Sequence, residues 1–161
     1  MELKLLNEND SFLKNVAIAW DFDVDGEPAD LIRDMSKIMI ESNGIGLAAP
    51  QVGVGKRIFI MGNSEKLIAC INPTIVESIG EVKELEGCLS FPKLWLHVRR
   101  AETVKVRYFN IVGQEIEAEF SGLMARVFQH EYDHLDGICF DSKVGKVSLD
   151  LAKRRRKKNS R

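Results

Sequence analysis

A stripe of apolar residues predicts a helix in the first third of the chain. Pro28 suits the first turn of a helix, and Asp30 complements the positive end of the helix dipole. The helix should end at Asn43-Gly44, because glycine accepts the left-handed conformation that closes helices. Between these limits, apolar residues recur every three or four positions: Leu31, Ile32, Met35, Ile38 and Met39.

Strict alternation later in the chain predicts a β-hairpin. Apolar residues alternate with charged ones from Val104 to Tyr108 and from Ile116 to Phe120, with a turn around Gly113. Successive side chains of a strand point to opposite faces, so one face is apolar and the other sets basic residues opposite acidic ones. Two short apolar runs, 57–61 and 67–71, are typical of buried strands.

A second helix is expected after the hairpin. Ser121 is a suitable N-cap, and the helical pattern continues to about Leu135 and ends at Gly137. No repeat or internal linker interrupts the chain, and 161 residues are enough for one domain with its own core. The sequence therefore predicts a single α+β domain over residues 1–161, in which antiparallel or mixed sheets pack around a central helix.

Composition and cysteine number restrict the class of protein. Apolar residues make up 45% of the chain and charged residues 29%, as in globular proteins. No run of eighteen apolar residues occurs, and residues 1–12 lack the layout of a signal peptide, so we expect a cytoplasmic protein without a membrane partner. Three widely separated cysteines predict free thiols or metal ligands rather than a disulfide framework.

The strongest chemical signal is the sequence HEYDH at residues 130–134. Residues four positions apart lie one above the other on a helix, so the imidazoles of His130 and His134 can reach the same metal ion. Glu131 can then act as a general base on a water molecule that the ion activates. Apolar neighbours indicate a central, metal-binding helix: Met124, Val127, Phe128 and Leu135.

A catalytic metal site normally has a third protein ligand. The last histidine of one longer protease motif is replaced by Phe140, and no glutamate follows Glu131; downstream aspartates remain but are not the usual choice. The ligand is therefore expected upstream, from Cys88 or His97. Cys88 lies in a turn-forming segment, residues 86–90, that could present a thiolate, whereas His97 lies in a strand-like stretch.

Three segments together resemble peptide deformylase. They are GIGLAAPQ at Gly44–Gln51, EGCLS at Glu86–Ser90 and QHEYDH at Gln129–His134. The order and spacing of the three are highly specific, and the similarity extends over about residues 3–146. The resemblance implies an enzyme that hydrolyses the formyl group from the N-terminal methionine of nascent proteins and releases formate.

The resemblance also assigns roles to individual residues. The implied metal ligands are Cys88, His130 and His134, which would hold one divalent ion, commonly Fe²⁺, with Zn²⁺, Ni²⁺ or Co²⁺ able to substitute. Glu131 would accept a proton and pass it to the leaving amine. The Gln51 side-chain amide and the Leu89 backbone N–H would stabilise the oxyanion. Ile45 and Gly46 would contact the substrate, with the Gly46 carbonyl facing the scissile amide.

Several neighbouring positions are expected to shape the site. Glu86 resembles the family glutamate that pairs with a downstream arginine, here Arg100, and supports the turn that carries the cysteine. Arg126 and Glu84 are charged where relatives usually have apolar residues near the methionine pocket. Either the two pair and form one wall of that pocket, or Arg126 extends to solvent. Trp95 is expected to line the substrate groove.

Two other functions compete with the deformylase interpretation. A zinc endopeptidase could use the same helix, but it needs a third ligand that the downstream sequence does not offer. A non-catalytic nucleic-acid-binding protein with a structural metal would leave Glu131 and Gln51 without a role.

The charge of the chain is unevenly distributed. Residues 153–161 carry seven of the 23 basic side chains and no acidic one, which leaves 16 basic and 24 acidic residues elsewhere, or about −8. We expect this segment to be a flexible tail. The chain beyond Gly145 also looks too short for the ribosome-contacting helix of some relatives, so any ribosome contact would fall to the tail. The acidic body would repel phosphate, and no DNA partner is expected.

Overall fold

The computed structural model describes residues 2–160 and has an α+β architecture, as the sequence predicts. Within this range the helices are α1 (Ala29–Glu41), α2 (Leu123–Leu135) and α3 (Lys146–Asn159). The strands are β1 (Gly46–Ala48), β2 (Ile58–Gly62), β3 (Leu67–Ile79), β4 (Val82–Cys88), β5 (Phe91–Arg100), β6 (Thr103–Phe109) and β7 (Glu115–Ser121). No helix in the described part of the chain is long and apolar enough to cross a bilayer.

Two separate sheets surround α2. Strands β1, β2, β3, β6 and β7 form a five-stranded antiparallel sheet in that order, and β4 and β5 form a two-stranded antiparallel sheet. The buried face of α2 packs on the larger sheet, where the rings of Phe59 and Phe128 meet edge to face at 4.9 Å between centroids. This packing fixes α2 as the central helix of the fold.

Helix α1 confirms the predicted stripe, since Ile32, Met35 and Met39 are buried. Its end differs from the prediction, because Asn43 rather than Gly44 takes the left-handed conformation, with φ of 57°. The constraint at Gly44 is instead the close approach of the Leu89 side chain. A Cβ there would lie 2.6 Å from Cδ1 of Leu89, in the turn of the small sheet.

The predicted hairpin is present as β6 and β7. Arg107 lies opposite Glu117, and Lys105 lies opposite Glu119. Arg107 also forms an ion pair with Glu115 at 3.0 Å. These side chains are exposed, so each pair contributes at most about 1 kcal/mol to stability.

The start of α2 differs from the prediction, whereas its end agrees. Ser121 is not an N-cap: it is the last residue of β7, and its hydroxyl pairs with that of Thr103 at 2.8 Å. Gly122, with φ of 63°, turns the chain directly from β7 into the helix. Gly137 closes the helix with φ of 73°, and a Cβ there would collide with the carbonyl oxygen of Lys14.

The C-terminal segment is helical, which differs from the expectation of a flexible tail and of little helix beyond Gly145. Residues 153–159 form the last turns of α3, while Arg161 lies outside the described residues. Lysine, arginine, leucine and alanine favour helix, and Ala152 packs beside Phe140 in a small core. Arg156 also donates to Glu8 at 2.6 Å, a pair that is about four-fifths buried.

The N-terminal segment that contains Glu8 also contacts the glycine-rich loop formed by Gly44–Gln51. The backbone N–H of Leu6 donates to the carbonyl oxygen of Gln51 at 2.7 Å. The last helix, residues 6–8 and the loop are therefore connected by consecutive contacts.

Candidate metal centre

Three side chains from distant parts of the sequence converge on one point. Helical spacing on α2 places the rings of His130 and His134 5.0 Å apart, and the β4–β5 turn brings Sγ of Cys88 to 3.5 Å from Nε2 of His134. One donor atom from each residue lies within 4.8 Å of the others, and no other group of this kind occurs within residues 2–160. His97, the alternative third ligand, is exposed on β5 outside this cluster.

The donor set fits a divalent transition-metal ion. One thiolate and two imidazoles are ligands that Fe²⁺, Zn²⁺, Co²⁺ and Ni²⁺ accept. Burial lowers the pKa of His134 well below 6.5, so its ring is neutral and its lone pair is available. Burial also acts to lower the pKa of His130, but the neighbouring side chains of Glu131, Cys88 and Glu86 outweigh it and raise that pKa. A bound cation would replace this proton.

Glu86 orients one of the imidazoles. Nδ1 of His130 donates to Oε1 of Glu86 at 2.8 Å, which leaves Nε2 of the ring free for a metal. Arg100 donates to both oxygens of Glu86 and, at 2.9 Å, to Asp133. The Glu86–Arg100 pair expected from the resemblance is therefore present, and its bond to His130 is an addition that the sequence did not indicate.

Arg126 follows neither of the two expected arrangements. Its side chain is 6% exposed, so it does not extend to solvent, and Glu84 is exposed elsewhere on β4. The guanidinium instead donates to Oε2 of Glu86 and, at 2.9 Å each, to the carbonyl oxygens of Val98 and Val82. A buried cation needs acceptors around it, and one carboxylate and two carbonyls supply them.

Glu131 has a free carboxylate oxygen and lines the same cavity as Cys88 and His130. The side chain is 4% exposed, and within the described residues Oε1 is a buried side-chain oxygen with no hydrogen-bond partner. Burial raises its pKa from 4.5 to about 7, partly offset by the positive charge of His130. A carboxyl group with such a pKa can accept and release a proton near neutral pH.

The Gln51 amide is fixed toward the cysteine. Its Oε1 accepts the backbone N–H of Ala48 at 2.9 Å, and its Nε2 lies 3.2 Å from Oγ of Ser90 and 3.6 Å from Sγ of Cys88. Leu89 occupies the adjacent turn between β4 and β5. Because the acceptor oxygen is held by the backbone, the amide N–H groups face Ser90 and Cys88.

Comparison with known proteins gives the family. The family model described as polypeptide deformylase matches residues 2–149. The chain belongs to the peptide deformylase family. It is 43% identical over 138 residues to the peptide deformylase of Thermodesulfovibrio yellowstonii, a match that covers 83% of this chain and 84% of that protein.

Solved structures agree with this assignment. A crystal structure of a peptide deformylase from Legionella pneumophila superposes with a TM-score of 0.90 at 35% identity, covering 99% of this chain and 96% of that one. A peptide deformylase from Synechococcus elongatus, solved in complex with actinonin, has a TM-score of 0.90 at 36% identity and covers 96% and 86%. The protein is thus a peptide deformylase, a metal-dependent hydrolase that removes the N-formyl group from nascent peptides.

A cavity of about 760 Å³ is lined by Cys88, His130 and Glu131, among other residues. Gly46 lies at its edge, where a Cβ would come within 2.6 Å of Oε2 of Glu131. Ile45 and Trp95 are 47% and 59% exposed at its rim, and Arg126 also lines it. Sequence reasoning missed Leu85 and Leu123, whose exposure at the same rim gave no periodic signal.

The free energy of unfolding should depend on pH through the ionisation of Glu86. Burial opposes its ionisation, but hydrogen bonds from His130 and Arg100 prevail and lower its pKa from 4.5 to about 2. Because the folded pKa lies below the unfolded one, this stabilisation is present above pH 4.5 and is lost as the pH falls toward 2. It amounts to about 3 kcal/mol. Urea unfolding of metal-free protein should show a shallower pH dependence for Glu86→Gln over this range.

The exposed Glu119→Gln variant provides the control for that measurement. Its free energy of unfolding should follow the wild-type pH curve. Parallel curves for Glu86→Gln and wild type would contradict the assignment of this stabilisation to Glu86.

Proposed function

We propose that deformylation takes place at the centre formed by Cys88, His130 and His134, with Glu131 as the group that moves the proton. The supporting observation is the unpartnered, buried Oε1 of Glu131 beside three converging metal-ligand side chains. When bound, a divalent ion supplies a Lewis acid for the formyl carbonyl and lowers the pKa of water.

Glu131 performs both proton transfers in this proposal. Its carboxylate takes a proton from the attacking water and then gives that proton to the amine that leaves as the new N-terminus. Burial raises the pKa of this carboxyl group in the metal-free site.

Gln51 and Leu89 stabilise the negative charge that develops on the formyl oxygen. The amide of Gln51 is oriented before substrate arrives, so no reorganisation is needed during the reaction. The backbone N–H of Leu89 is the second donor. One such donor contributes about 3 kcal/mol to transition-state stabilisation.

The substrate is an N-formylmethionyl peptide that lies along the cavity. Gly46 leaves room for its backbone beside Glu131, because any side chain there would overlap the carboxylate. Ile45 and Trp95 contact the peptide at the rim, and the stem of Arg126 lines the wall.

Formate release from formyl-Met-Ala-Ser by anaerobically purified protein tests this reaction. We expect one formate and one free Met-Ala-Ser per turnover. The internal peptide bonds should remain intact on mass spectrometry. Cleavage between residues of the peptide without formate release would instead support the endopeptidase alternative.

We propose Fe²⁺ as the native metal. A ferrous ion bound by a thiolate exposes both iron and sulfur to oxidation. The iron form should therefore lose activity in air, while the Ni²⁺ form, measured side by side with the same substrate, should keep it. Equal half-lives in air for the two forms would contradict this proposal.

We also propose that the basic end of α3 contacts the ribosome. Residues 153–158 are all basic, and all but Arg156 are exposed, so they can approach RNA phosphates. Changing Lys153, Arg154 and Arg155 together to glutamine should reduce co-sedimentation with ribosomes at low salt while keeping the Arg156–Glu8 pair. The control changes three exposed basic residues elsewhere, Lys37, Lys83 and Lys105, to glutamine. Equal co-sedimentation of both variants would contradict the proposal.

A further inference from the structure

Arg126 joins the two parts of the protein that carry the proposed metal ligands. His130 and His134 belong to α2, which packs on the five-stranded sheet. Cys88 belongs to the β4–β5 hairpin, whose strands form a sheet of their own and share no ladder with the larger one. The metal centre therefore depends on how this hairpin docks on α2.

The guanidinium of Arg126 spans that junction. From α2 it donates to the Val82 carbonyl on β4 and the Val98 carbonyl on β5, at 2.9 Å each. A third bond goes to Oε2 of Glu86, two residues before Cys88. One side chain thus contacts both strands of the hairpin and the carboxylate two residues before Cys88, from the helix that carries the other two ligands.

We propose that Arg126 is a positioning residue that docks the Cys88 hairpin on α2 and so preorganises the metal centre. This inference rests on the proposed ligand set of Cys88, His130 and His134. Arg126 acts through the hairpin and touches neither the metal nor the reacting atoms.

Loss of Arg126 would leave the charge of Glu86 compensated. Arg100 donates to both oxygens of Glu86, and His130 donates to Oε1. The variant should therefore fold with Glu86 ionised. What it loses is the donor to two hairpin carbonyls, so the position of the thiol should become less well defined.

The shape of arginine matters for this role. Its planar fork reaches three acceptors in different directions, whereas a lysine ammonium on a flexible stem does not reproduce that arrangement. Arg126→Lys should therefore fall between wild type and Arg126→Met. This graded series also keeps the proposal testable if the methionine variant folds poorly.

Metal affinity measured without reference to turnover tests the proposal. The Co²⁺ dissociation constant would be determined by chelator competition for wild type, Arg126→Met, Arg126→Lys and Arg107→Met. We expect Co²⁺ to bind about tenfold more weakly or worse to Arg126→Met, as for loss of an outer contact that orients a ligand. The thiolate-to-cobalt absorption band should weaken in parallel. Arg107→Met, which removes an exposed guanidinium from another hairpin, should match wild type.

If Arg126 only stabilised the fold, these measurements would give a different result. In that case Arg126→Met and Arg126→Lys would lower the melting temperatures of the metal-free and Co²⁺-loaded proteins equally. The Co²⁺ dissociation constant and the thiolate band would then stay at wild-type values, and the proposal would be overturned.

A double-mutant cycle identifies the route of the effect. If Arg126 acts through the hairpin, then Arg126→Met should cause little further loss of Co²⁺ affinity in a Cys88→Ser background. An undiminished loss in that background would overturn the proposal, because it would mean action through Glu86 and His130. If Cys88→Ser alone binds Co²⁺ as wild type does, the proposed ligand set fails first and this inference fails with it.

Discussion

Replacing Glu131 by glutamine is expected to lower kcat/KM for formyl-Met-Ala-Ser by about 10³-fold. Glutamine keeps the size and polarity of the side chain but cannot accept the proton of the attacking water. The proposed ligands Cys88, His130 and His134 are unchanged, so the amount of bound metal should stay at the wild-type level. Formate release and metal content would be measured on the same preparations.

Glu119→Gln is the matched control for this variant. It makes the same chemical change on the exposed face of β7 and should leave kcat/KM unaltered. A Glu131→Gln protein that retains metal and works within a few-fold of wild type would refute the proposed proton transfer.

Replacing Cys88 by alanine should remove the metal as well as the activity. Binding free energies of about 10–16 kcal/mol for four-ligand zinc sites imply about 3 kcal/mol per ligand, or about a hundredfold in affinity. Cys88→Ala should therefore lose its metal during dialysis against a chelator that wild type withstands. Metal analysis before and after dialysis would measure this.

Cys70→Ala separates loss of a ligand from loss of a thiol. Cys70 is fully buried in the core on β3 and belongs to no metal-ligand group within residues 2–160. Its variant should lose some stability but keep its metal. Equal metal retention by both alanine variants would show that Cys88 is not a ligand.

Most of the elements that could be predicted were recognised from the spacing of apolar residues or from a sequence motif. α1 and the β6–β7 hairpin each pack one face on the core, so their apolar spacing was visible in the sequence. Cys88, identified from the resemblance, is brought together with both histidines as expected.

The β4–β5 hairpin could not be predicted in the same way. Strand β4 carries charged residues at three of its seven positions, because much of it faces solvent while Glu86 is neutralised by residues distant in sequence. Its close packing depends on Gly87, where a Cβ would lie 2.6 Å from the ring of Trp95. Spacing along the chain does not report contacts of this kind.

The hydrogen-bond partners of Arg126 and Arg156 could not be predicted for a similar reason. Arg126 finds acceptors on strands 28 to 44 residues away, and Arg156 finds Glu8 across 148 residues. The basic run therefore resembled a solvated tail, although one of its members is paired and partly buried.

The contact between Arg156 and Glu8 has a practical consequence for work with the purified enzyme. It places Arg156 of the C-terminal helix against Glu8, two residues from Leu6, whose backbone N–H donates to the Gln51 carbonyl in the loop proposed to bind the substrate. An affinity tag fused next to either segment is therefore expected to affect this loop. Kinetic constants should be determined on protein from which the tag has been cleaved.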